Sequence, residues 1–211
     1  MEMEVGSGRP VRFSRRERNK KDKLQRIKKA AFELFQERGY ERATTQEIAD
    51  RADVSSGTLF FYAKTKEDLL GLVMVADLLE TLDRARATLP MDKPFPEKMA
   101  HLYSRLLRHH ARHKELSRYF LQECLRERVS PQSAEVMGLN NQVLAATEEI
   151  VLAEQRAKRI SGTLPVPEVS TMCFWLFFGV LDRLVSGTSS LRECGHMLRR
   201  SYEVLMQGLK A

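Results

Sequence analysis

The chain has 211 residues, of which 43% are hydrophobic and 30% charged, with a formal net charge of +7 at pH 7. No segment resembles a signal peptide, and the longest apolar run, Met172 to Leu181, falls well short of the roughly 20 residues that span a bilayer, so it predicts a buried helix. Cys124, Cys173 and Cys194 are odd in number and widely spaced, which argues against a disulfide framework or a thiolate metal site and indicates a cytoplasmic protein.

The excess positive charge lies near the start of the chain. Residues 1–66 hold 16 Lys and Arg against 10 Asp and Glu, whereas residues 67–211 hold 19 against 18. Residues 1–21 are basic and lack apolar periodicity, so we predict a disordered basic arm. Two hypotheses remain for it: an arm that follows DNA phosphates or enters the minor groove, and a solvated tail that only raises non-specific affinity.

The first predicted helix is amphipathic and starts near residue 22. Leu24, Ile27, Ala31, Leu34 and Phe35 recur at spacings of three and four, the pattern of one buried helix face. Gly39 marks the end of this helix.

The stretch 44–70 has the layout of a helix-turn-helix motif. Thr44 or Thr45 can cap a short helix, and Ser55 or Ser56 can cap the next, with Leu59 pointing inward. Asp53 stands at the turn between them, where we predict a positive φ. A helix-turn-helix places its second helix in the DNA major groove.

The motifs AAFELFQERGY, TTQEIA, SSGTLF and KEDLL are together specific to one group of proteins. Over about residues 24–70 the chain resembles the N-terminal domain of the TetR/AcrR family of bacterial transcriptional regulators. The resemblance implies a DNA-binding domain over 22–66 and a ligand-binding and dimerisation domain over 67–211. Two positions depart from the family: Phe60 replaces a tyrosine that contacts a phosphate, and Ala63 replaces a phenylalanine. Tyr62 is a candidate to replace the lost phosphate contact.

The predicted DNA contacts lie on and around the second motif helix. Its short hydroxyl side chains suit either base type, Gly57 allows close approach, and the absence of arginine favours recognition through short contacts and operator shape. Phe60 is expected to pack against the core. The lysines before the following helix can meet phosphate together with free backbone N–H groups. The predicted contact residues are Arg42, Thr44, Thr45, Gln46, Ser55, Ser56, Gly57, Thr58, Phe61, Tyr62, Lys64 and Lys66.

The remainder of the chain reads as helices, and no strand pattern of useful length is present. Helical patterns cover about 66–89, 96–113, 114–128, 131–161, 166–186 and 190–209, and prolines end the first of these helices. The predicted fold class is therefore all-α, with about nine helices.

The last two helices predict a homodimer. The first is apolar nearly all round, so one side should face the interior and another a partner. The alternative is a core helix of a monomer. A two-fold dimer sets two recognition helices about 34 Å apart and calls for a palindromic operator in double-stranded DNA. The predicted interface residues are Leu176, Val180, Leu184, Leu191, Leu198, Tyr202 and Leu205.

The family resemblance also implies a pocket for a small-molecule effector among the C-terminal helices. The alternative for each candidate is plain core, because pocket and core share a composition. No cofactor is predicted. His109 and His113 share a helix face but have no carboxylate or cysteine close by in sequence, so a solvated basic face is favoured over a metal site. The candidate pocket residues are Leu102, Leu106, Phe120, Cys124, Met137, Asn141, Trp175 and Phe178.

Three functional classes compete. The favoured one is a ligand-responsive DNA-binding regulator, a repressor that a hydrophobic effector releases from its operator. The second is an all-α dimeric interaction protein with a degenerate helix-turn-helix, which Phe60 and Ala63 keep open. An enzyme is disfavoured because no nucleophile elbow, zinc-protease motif or phosphate-binding glycine loop occurs.

Overall fold

The computed structural model describes residues 14–125 and 131–209, and over these ranges the fold is built from nine α-helices without a strand. This confirms the predicted all-α class. The helices are α1 (Arg15–Arg38), α2 (Thr45–Arg51), α3 (Ser56–Tyr62), α4 (Lys66–Ala87), α5 (Phe95–Arg112), α6 (Lys114–Leu125), α7 (Pro131–Arg156), α8 (Val166–Ser186) and α9 (Leu191–Leu209).

Helix α1 starts earlier than its apolar pattern indicates. Ser14 caps it: the Ser14 hydroxyl accepts from the Glu17 amide at 3.2 Å, and the Glu17 carboxylate accepts from the Ser14 amide at 2.7 Å. The prediction that residues 15–21 are disordered is therefore wrong, because a capping box stabilises a helix start that hydrophobic periodicity does not reveal. Residues 1–13 of the predicted arm lie outside the described residues.

Helix α7 ends before the predicted residue 161. It stops at Arg156, and Lys158 then adopts φ 56°, the left-handed conformation that ends many helices. Arg159 turns back and its guanidinium donates to the Glu154 carboxylate at 2.7 and 3.0 Å. The predicted end of α6 at residue 128 lies outside the described residues.

The first three helices and the start of α4 share one core. Ile27 and Ala31 of α1, Ile48 of α2, Leu59 of α3 and Leu70 of α4 have no exposed surface. Burying an isoleucine or leucine side chain contributes about 1.5–3 kcal/mol, which stabilises the short helices α2 and α3 that would not be stable alone.

The C-terminal domain is arranged around α5, which packs against α4, α8 and α9, while α7 packs against α4 and α8. The buried phenol of Tyr103 is 2.8 Å from the Thr147 hydroxyl and stacks on Phe177 at 4.7 Å. A buried ion pair joins α5 to α7, with Lys98 Nζ 2.6 Å from Glu154 Oε1. These polar groups are buried and paired, so they fix how α5 lies against α7.

Helix α8 is the most apolar helix of the described chain. With 21 residues and a mean hydropathy of 1.4, it is long and apolar enough to cross a membrane by length and composition alone. One side of α8 is buried in the chain, at Val169, Cys173 and Phe177. The Tyr202 hydroxyl of α9 donates to the Cys173 carbonyl at 3.0 Å. The buried-helix prediction thus holds for that side, and the opposite side remains exposed in the single chain.

Candidate DNA-binding surface

The start of α2 is fixed by a capping box. Thr44, and not Thr45, is the cap: its hydroxyl accepts from the Glu47 amide at 3.2 Å, and the Glu47 carboxylate accepts from the Thr44 amide at 3.0 Å. Hydrogen bonds from the Thr44 backbone, then from its hydroxyl, lower the pKa of Glu47. The same carboxylate pairs with Arg38 of α1. The cap therefore also holds α2 in place on α1.

The turn between α2 and α3 has the predicted left-handed residue. Asp53 has φ 52°, which confirms the prediction, and the Val54 amide donates to the Ala49 carbonyl at 3.1 Å. Arg26 of α1 reaches this turn and donates to the Asp53 carboxylate at 3.1 Å and to its carbonyl at 3.3 Å. This contact is not predictable from the sequence, because nothing local links positions so far apart in the chain.

Helix α3 begins at a Ser55 cap and presents a polar start. The Ser55 hydroxyl accepts from the Thr58 amide at 3.2 Å, and the Ser56 hydroxyl donates to Gln46 Oε1 at 2.7 Å. Gln46 in turn donates to the Asp50 carboxylate at 2.9 Å. Ser56 and Gln46, both predicted DNA contacts, thus form one ordered polar cluster that joins α2 to α3.

Gly57 lies exposed on the outer side of α3, and the fold of the chain does not require a glycine at this position. A Cβ built at this position would meet only the Ser55 hydroxyl oxygen, at an ordinary 4.0 Å. The missing side chain therefore leaves room on the outside of the helix. This is the geometry expected where a backbone approaches an external surface closely.

Two phenylalanines on α3 face solvent. Phe61 is 73% exposed, as a predicted DNA contact should be. Phe60 is 46% exposed, so the prediction that it packs against the core is wrong. The inward side of this short helix is taken by Leu59 and by Tyr62, three positions further on, which leaves the two residues between them pointing outward. The buried Ala63 ends the helix in extended conformation.

The Tyr62 hydroxyl, predicted to replace the missing phosphate contact, makes a hydrogen bond within the protein. It donates to the Lys20 carbonyl of α1 at 3.1 Å, so its proton is already committed there. The Lys20 ammonium lies 5.6 Å from the ring centre of Phe61. The start of α1 is therefore adjacent to the end of α3, and the basic residues of α1 extend the surface that α3 presents.

That extension is strongly basic. Residues 15–23 carry six Lys and Arg against two acidic residues, and all nine are exposed. Positive charge is unfavourable at a helix N-terminus because the free amides already give that end a partial positive charge. A local cost of this kind is offset when the charges meet an anionic partner such as a phosphate backbone.

The lysines between α3 and α4 are placed differently from each other. Lys64 is exposed, whereas the Lys66 ammonium donates to the Glu41 carbonyl at 2.9 Å and lies 4.7 Å from the Tyr40 ring centre. The amides of Lys64 and Thr65 donate to the Asp68 carboxylate, at 2.9 and 3.1 Å. Asp68 therefore occupies the amides of Lys64 and Thr65, and neither is free to meet phosphate in this arrangement.

Three other predicted contacts lie on or next to the motif helices α2 and α3. Arg42 is exposed, and its guanidinium donates to the Arg38 carbonyl at 2.8 Å, the end of α1. Thr45 is half-buried in the first turn of α2, and Thr58 is half-buried with its hydroxyl 3.0 Å from that of Ser55. The structure thus links Gln46 and Ser56 across α2 and α3 and leaves Arg42, Gly57 and Phe61 exposed.

The same residues carry the match to known proteins. The model of the bacterial regulatory proteins of the tetR family matches residues 27–73, from α1 into α4. The N-terminal domain of this chain therefore matches the TetR family over these residues. The chain is 30% identical over 88 residues to the fatty acid metabolism regulator protein of Bacillus subtilis strain 168, over 42% of this chain and 45% of that protein. The chain thus spans less than half the length of the curated relatives that it matches.

Solved TetR-family structures share the whole fold. FadR from Thermus thermophilus, a TetR-family repressor in complex with lauroyl-CoA, is 24% identical with a TM-score of 0.68, over 89% of this chain and 95% of that one. FadR from Bacillus subtilis in complex with stearoyl-CoA is 20% identical with a TM-score of 0.67, over 88% and 98% of the two chains. At these identities the likeness concerns the fold.

The residues of the predicted effector pocket do not lie at a single site. Leu102, Leu106 and Phe120 are buried in the core, whereas Met137 and Trp175 are 62% and 60% exposed. Asn141 is exposed, Phe178 is half-buried, and the side chain of Cys124 lies outside the described residues. The prediction that these residues line one cavity is wrong, because apolar composition does not distinguish core from surface without a fold.

The predicted dimer interface has the right helices but the wrong helix faces. Val180, Leu184, Leu198 and Tyr202 are buried within the chain itself, so those four assignments are wrong. Leu176 and Leu205 are half-buried and Leu191 is 38% exposed. The exposed side of α8 and α9 instead forms a largely apolar groove of about 610 Å³. It is lined by Met172, Trp175, Leu176, Arg200, Ser201, Val204 and Leu205.

The sequence indicated that the three histidines at the end of α5 form a solvated face. The structure shows that they do not. His109 and His110 are buried, and His110 Nδ1 is 2.9 Å from the Ser117 hydroxyl. Burial lowers the pKa of His110 to about 3 and that of His109 to about 4, so both are neutral at pH 7. The prediction was wrong because α4 and α6 cover this side of α5.

Proposed function

We propose that the chain is a transcriptional regulator that binds double-stranded DNA through α3. The observation that carries this proposal is the outer side of α3: Leu59 anchors the helix, while Gly57 and Phe61 face outward and are not needed by the fold. The basic start of α1 lies beside this surface and supplies charge for phosphate contacts. The match of residues 27–73 to the TetR family supports the same conclusion.

The alternative is an interaction protein with a degenerate helix-turn-helix. Phe60 lacks the hydroxyl that a tyrosine would offer to a phosphate, and the Tyr62 hydroxyl already donates to the Lys20 carbonyl. An exposed Phe60 can still contact a sugar or a thymine methyl group, as apolar side chains do in the major groove. The basic start of α1 favours DNA over a protein partner, since it concentrates one sign of charge next to α3.

Gly57→Ala tests the close approach of α3 to the bases. The protein has room for the new methyl group, and alanine favours a helix over glycine by about 0.5–1 kcal/mol, so the variant should be at least as stable. Its affinity for a duplex selected by the wild type should fall at least tenfold, because the methyl group lies between α3 and the bases. Gly138→Ala on α7, where a Cβ meets nothing within 4 Å, is the matched control. Unchanged affinity in the Gly57 variant would refute close approach of α3 to the bases, whereas failure of the wild type to select any duplex would favour the interaction protein.

We further propose that two copies of this chain pair through the groove on α8 and α9. Met172, Trp175 and Val204 are 51%, 60% and 53% exposed, and monomers rarely expose apolar side chains in such a cluster. A two-fold axis through this groove would bring the same face of each copy together in a four-helix contact. The two α3 helices would then read a palindrome with half-sites about 34 Å apart.

The effector we propose is a fatty acyl-CoA, whose binding releases the regulator from its operator and makes it a repressor. Two proteins that share this fold were solved in complex with lauroyl-CoA and with stearoyl-CoA. A curated relative is a fatty acid metabolism regulator. The test is displacement of a fluorescent operator by lauroyl-CoA or stearoyl-CoA, with coenzyme A and free lauric acid as controls. Release by the thioesters alone would support the proposal. An operator complex that all four leave intact would contradict this effector class and leave DNA binding untouched.

A further inference from the structure

Three potential metal ligands meet where α4 and α5 lie against the N-terminal domain. Asp77 comes from α4, His109 from the last turn of α5, and His113 from the residue after it. One ligand atom from each lies within 4.8 Å of the other two. The sequence shows the two histidines at helical spacing, and only the fold brings a carboxylate beside them.

The hydrogen bonding of His109 is incomplete. The residue is 6% exposed, and its Nε2 atom is buried with no hydrogen-bond partner in the described structure. Its Nδ1 atom is 3.9 Å from Asp77 Oδ2, which is longer than a hydrogen bond. Burying an imidazole without hydrogen bonds is costly, and native proteins pair almost all such groups with protein, water or an ion.

We propose that Asp77, His109 and His113 bind a divalent first-row transition metal, most simply Zn²⁺. Two imidazole nitrogens and one carboxylate oxygen are the donors that such ions prefer, and three protein ligands leave a fourth position for water. Zinc bonds of about 2.0–2.1 Å place tetrahedral ligand atoms roughly 3.4 Å apart. Rotation of the half-exposed Asp77 and His113 side chains closes the remaining distance.

The nearby charges and hydrogen bonds fit this proposal. Burial leaves the imidazole of His109 neutral at pH 7, which is the form that binds metals. Arg84 and Arg112 lie close enough to disfavour a cation, and the Asp77 carboxylate opposes them. The side-chain amide nitrogen Nε2 of Gln36 in α1 is 3.2 Å from His113 Nδ1. With its amide oxygen turned to that nitrogen, Gln36 accepts Nδ1–H and leaves Nε2 to the metal, the usual support of a ligating histidine.

A metal here would cross-link α4 to α5 at the level where α1 rests on them. The Phe32 ring of α1 meets the His113 ring edge to face at 5.2 Å, next to the Gln36 contact. An ion bound by His113 therefore restrains the helix that carries the basic start of the DNA surface. This inference does not depend on the proposed effector.

The test is zinc binding by full-length, untagged, metal-stripped protein in the absence of DNA. Calorimetry measures the binding, and the thermal unfolding midpoint measures its effect on stability. We expect one Zn²⁺ per chain at micromolar free metal and a raised midpoint. Asp77→Asn, which keeps shape and changes a half-exposed residue, should weaken affinity at least tenfold, and His109→Ala should abolish binding. His196→Ala, an exposed histidine of α9 outside the cluster, is the matched control and should bind as the wild type does.

Two results would overturn the proposal. One is absence of bound zinc at micromolar free metal in the wild type. The other is zinc binding that Asp77→Asn and His109→Ala leave unchanged, which would place the ion elsewhere on the chain. Circular dichroism of each variant without metal establishes that it is folded, so that lost binding reports lost ligands.

Discussion

The basic start of α1 makes the DNA-binding proposal quantitative. Arg15, Arg16 and Arg18 occupy its first turn and are exposed, where the helix itself gains nothing from positive charge. If they contact phosphates, replacing all three with glutamine removes three counterion-releasing contacts. The variant should fold at least as stably as the wild type, because the unfavourable charge is gone. A loss of DNA affinity then reports lost contacts and not unfolding.

The size of the effect follows from the number of contacts. Each phosphate contact contributes about −0.9 to the slope of log affinity against log salt, so the slope should become shallower by about 2.7. Between about 50 and 200 mM salt one contact is worth roughly 3.5-fold in affinity, and three are worth roughly 40-fold. The wild type should lose about that much more affinity over this range than the variant.

Fluorescence anisotropy on one duplex at several salt concentrations measures both slopes. The matched control replaces Arg156, Arg192 and Arg199 with glutamine, which removes the same charge from exposed positions of α7 and α9. Equal slopes for the two triple variants would refute the reasoning, because net charge alone would then account for the effect. Equal slopes for the wild type and the α1 variant would make this helix start a passive surface.

Other perturbations address the interior and the groove. Glu154→Gln should lower the free energy of unfolding by about 3 kcal/mol or more, since it leaves the buried Lys98 ammonium unpaired. Glu149→Gln, at an exposed ion pair on the same helix, should lower it by less than about 1 kcal/mol. Urea unfolding measures both. Hydrogen bonds from Arg159 and Lys98 lower the pKa of Glu154 below the usual 4.5. The contribution of Glu154 to folding stability is therefore present above pH 4.5 and is lost as the pH falls through the lowered pKa. Equal costs for the two variants would contradict the buried-pair account. Val204→Glu should convert a dimer into monomers by light scattering, while Met91→Glu should not. Thr44→Ala should cost about 1 kcal/mol through its lost cap; an unchanged unfolding midpoint would contradict that role.

The sequence predicts the N-terminal domain well because the decisive signals there are local. Caps such as Ser55, the turn at Asp53 and the end at Gly39 act within a few residues of themselves, and the structure confirms all three. Ser14 shows the limit of hydrophobic periodicity, since a capping box extends α1 through a polar stretch. Phe60 shows another limit: a helix of seven residues has few inward positions, and these were already filled.

The C-terminal domain is predictable as helices but not as surfaces. Helix α8 is apolar nearly all round, so composition cannot say that Val180 faces inward and Trp175 outward. That choice depends on where α5, α7 and α9 lie. The same holds for Asp77 and His109, which are distant in sequence and meet only because α4 packs along α5. Long-range packing thus decides both the groove and the proposed metal site.

The most direct measurement is selection of bound sequences from a random DNA pool by the purified full-length protein at about physiological salt. The account predicts enrichment of a palindrome whose half-sites lie about one helical turn apart, which would establish sequence-specific binding and two-fold symmetry together. Recovery of sequences with no shared motif would contradict it. The exposed surface of α3 would then belong to an interaction protein.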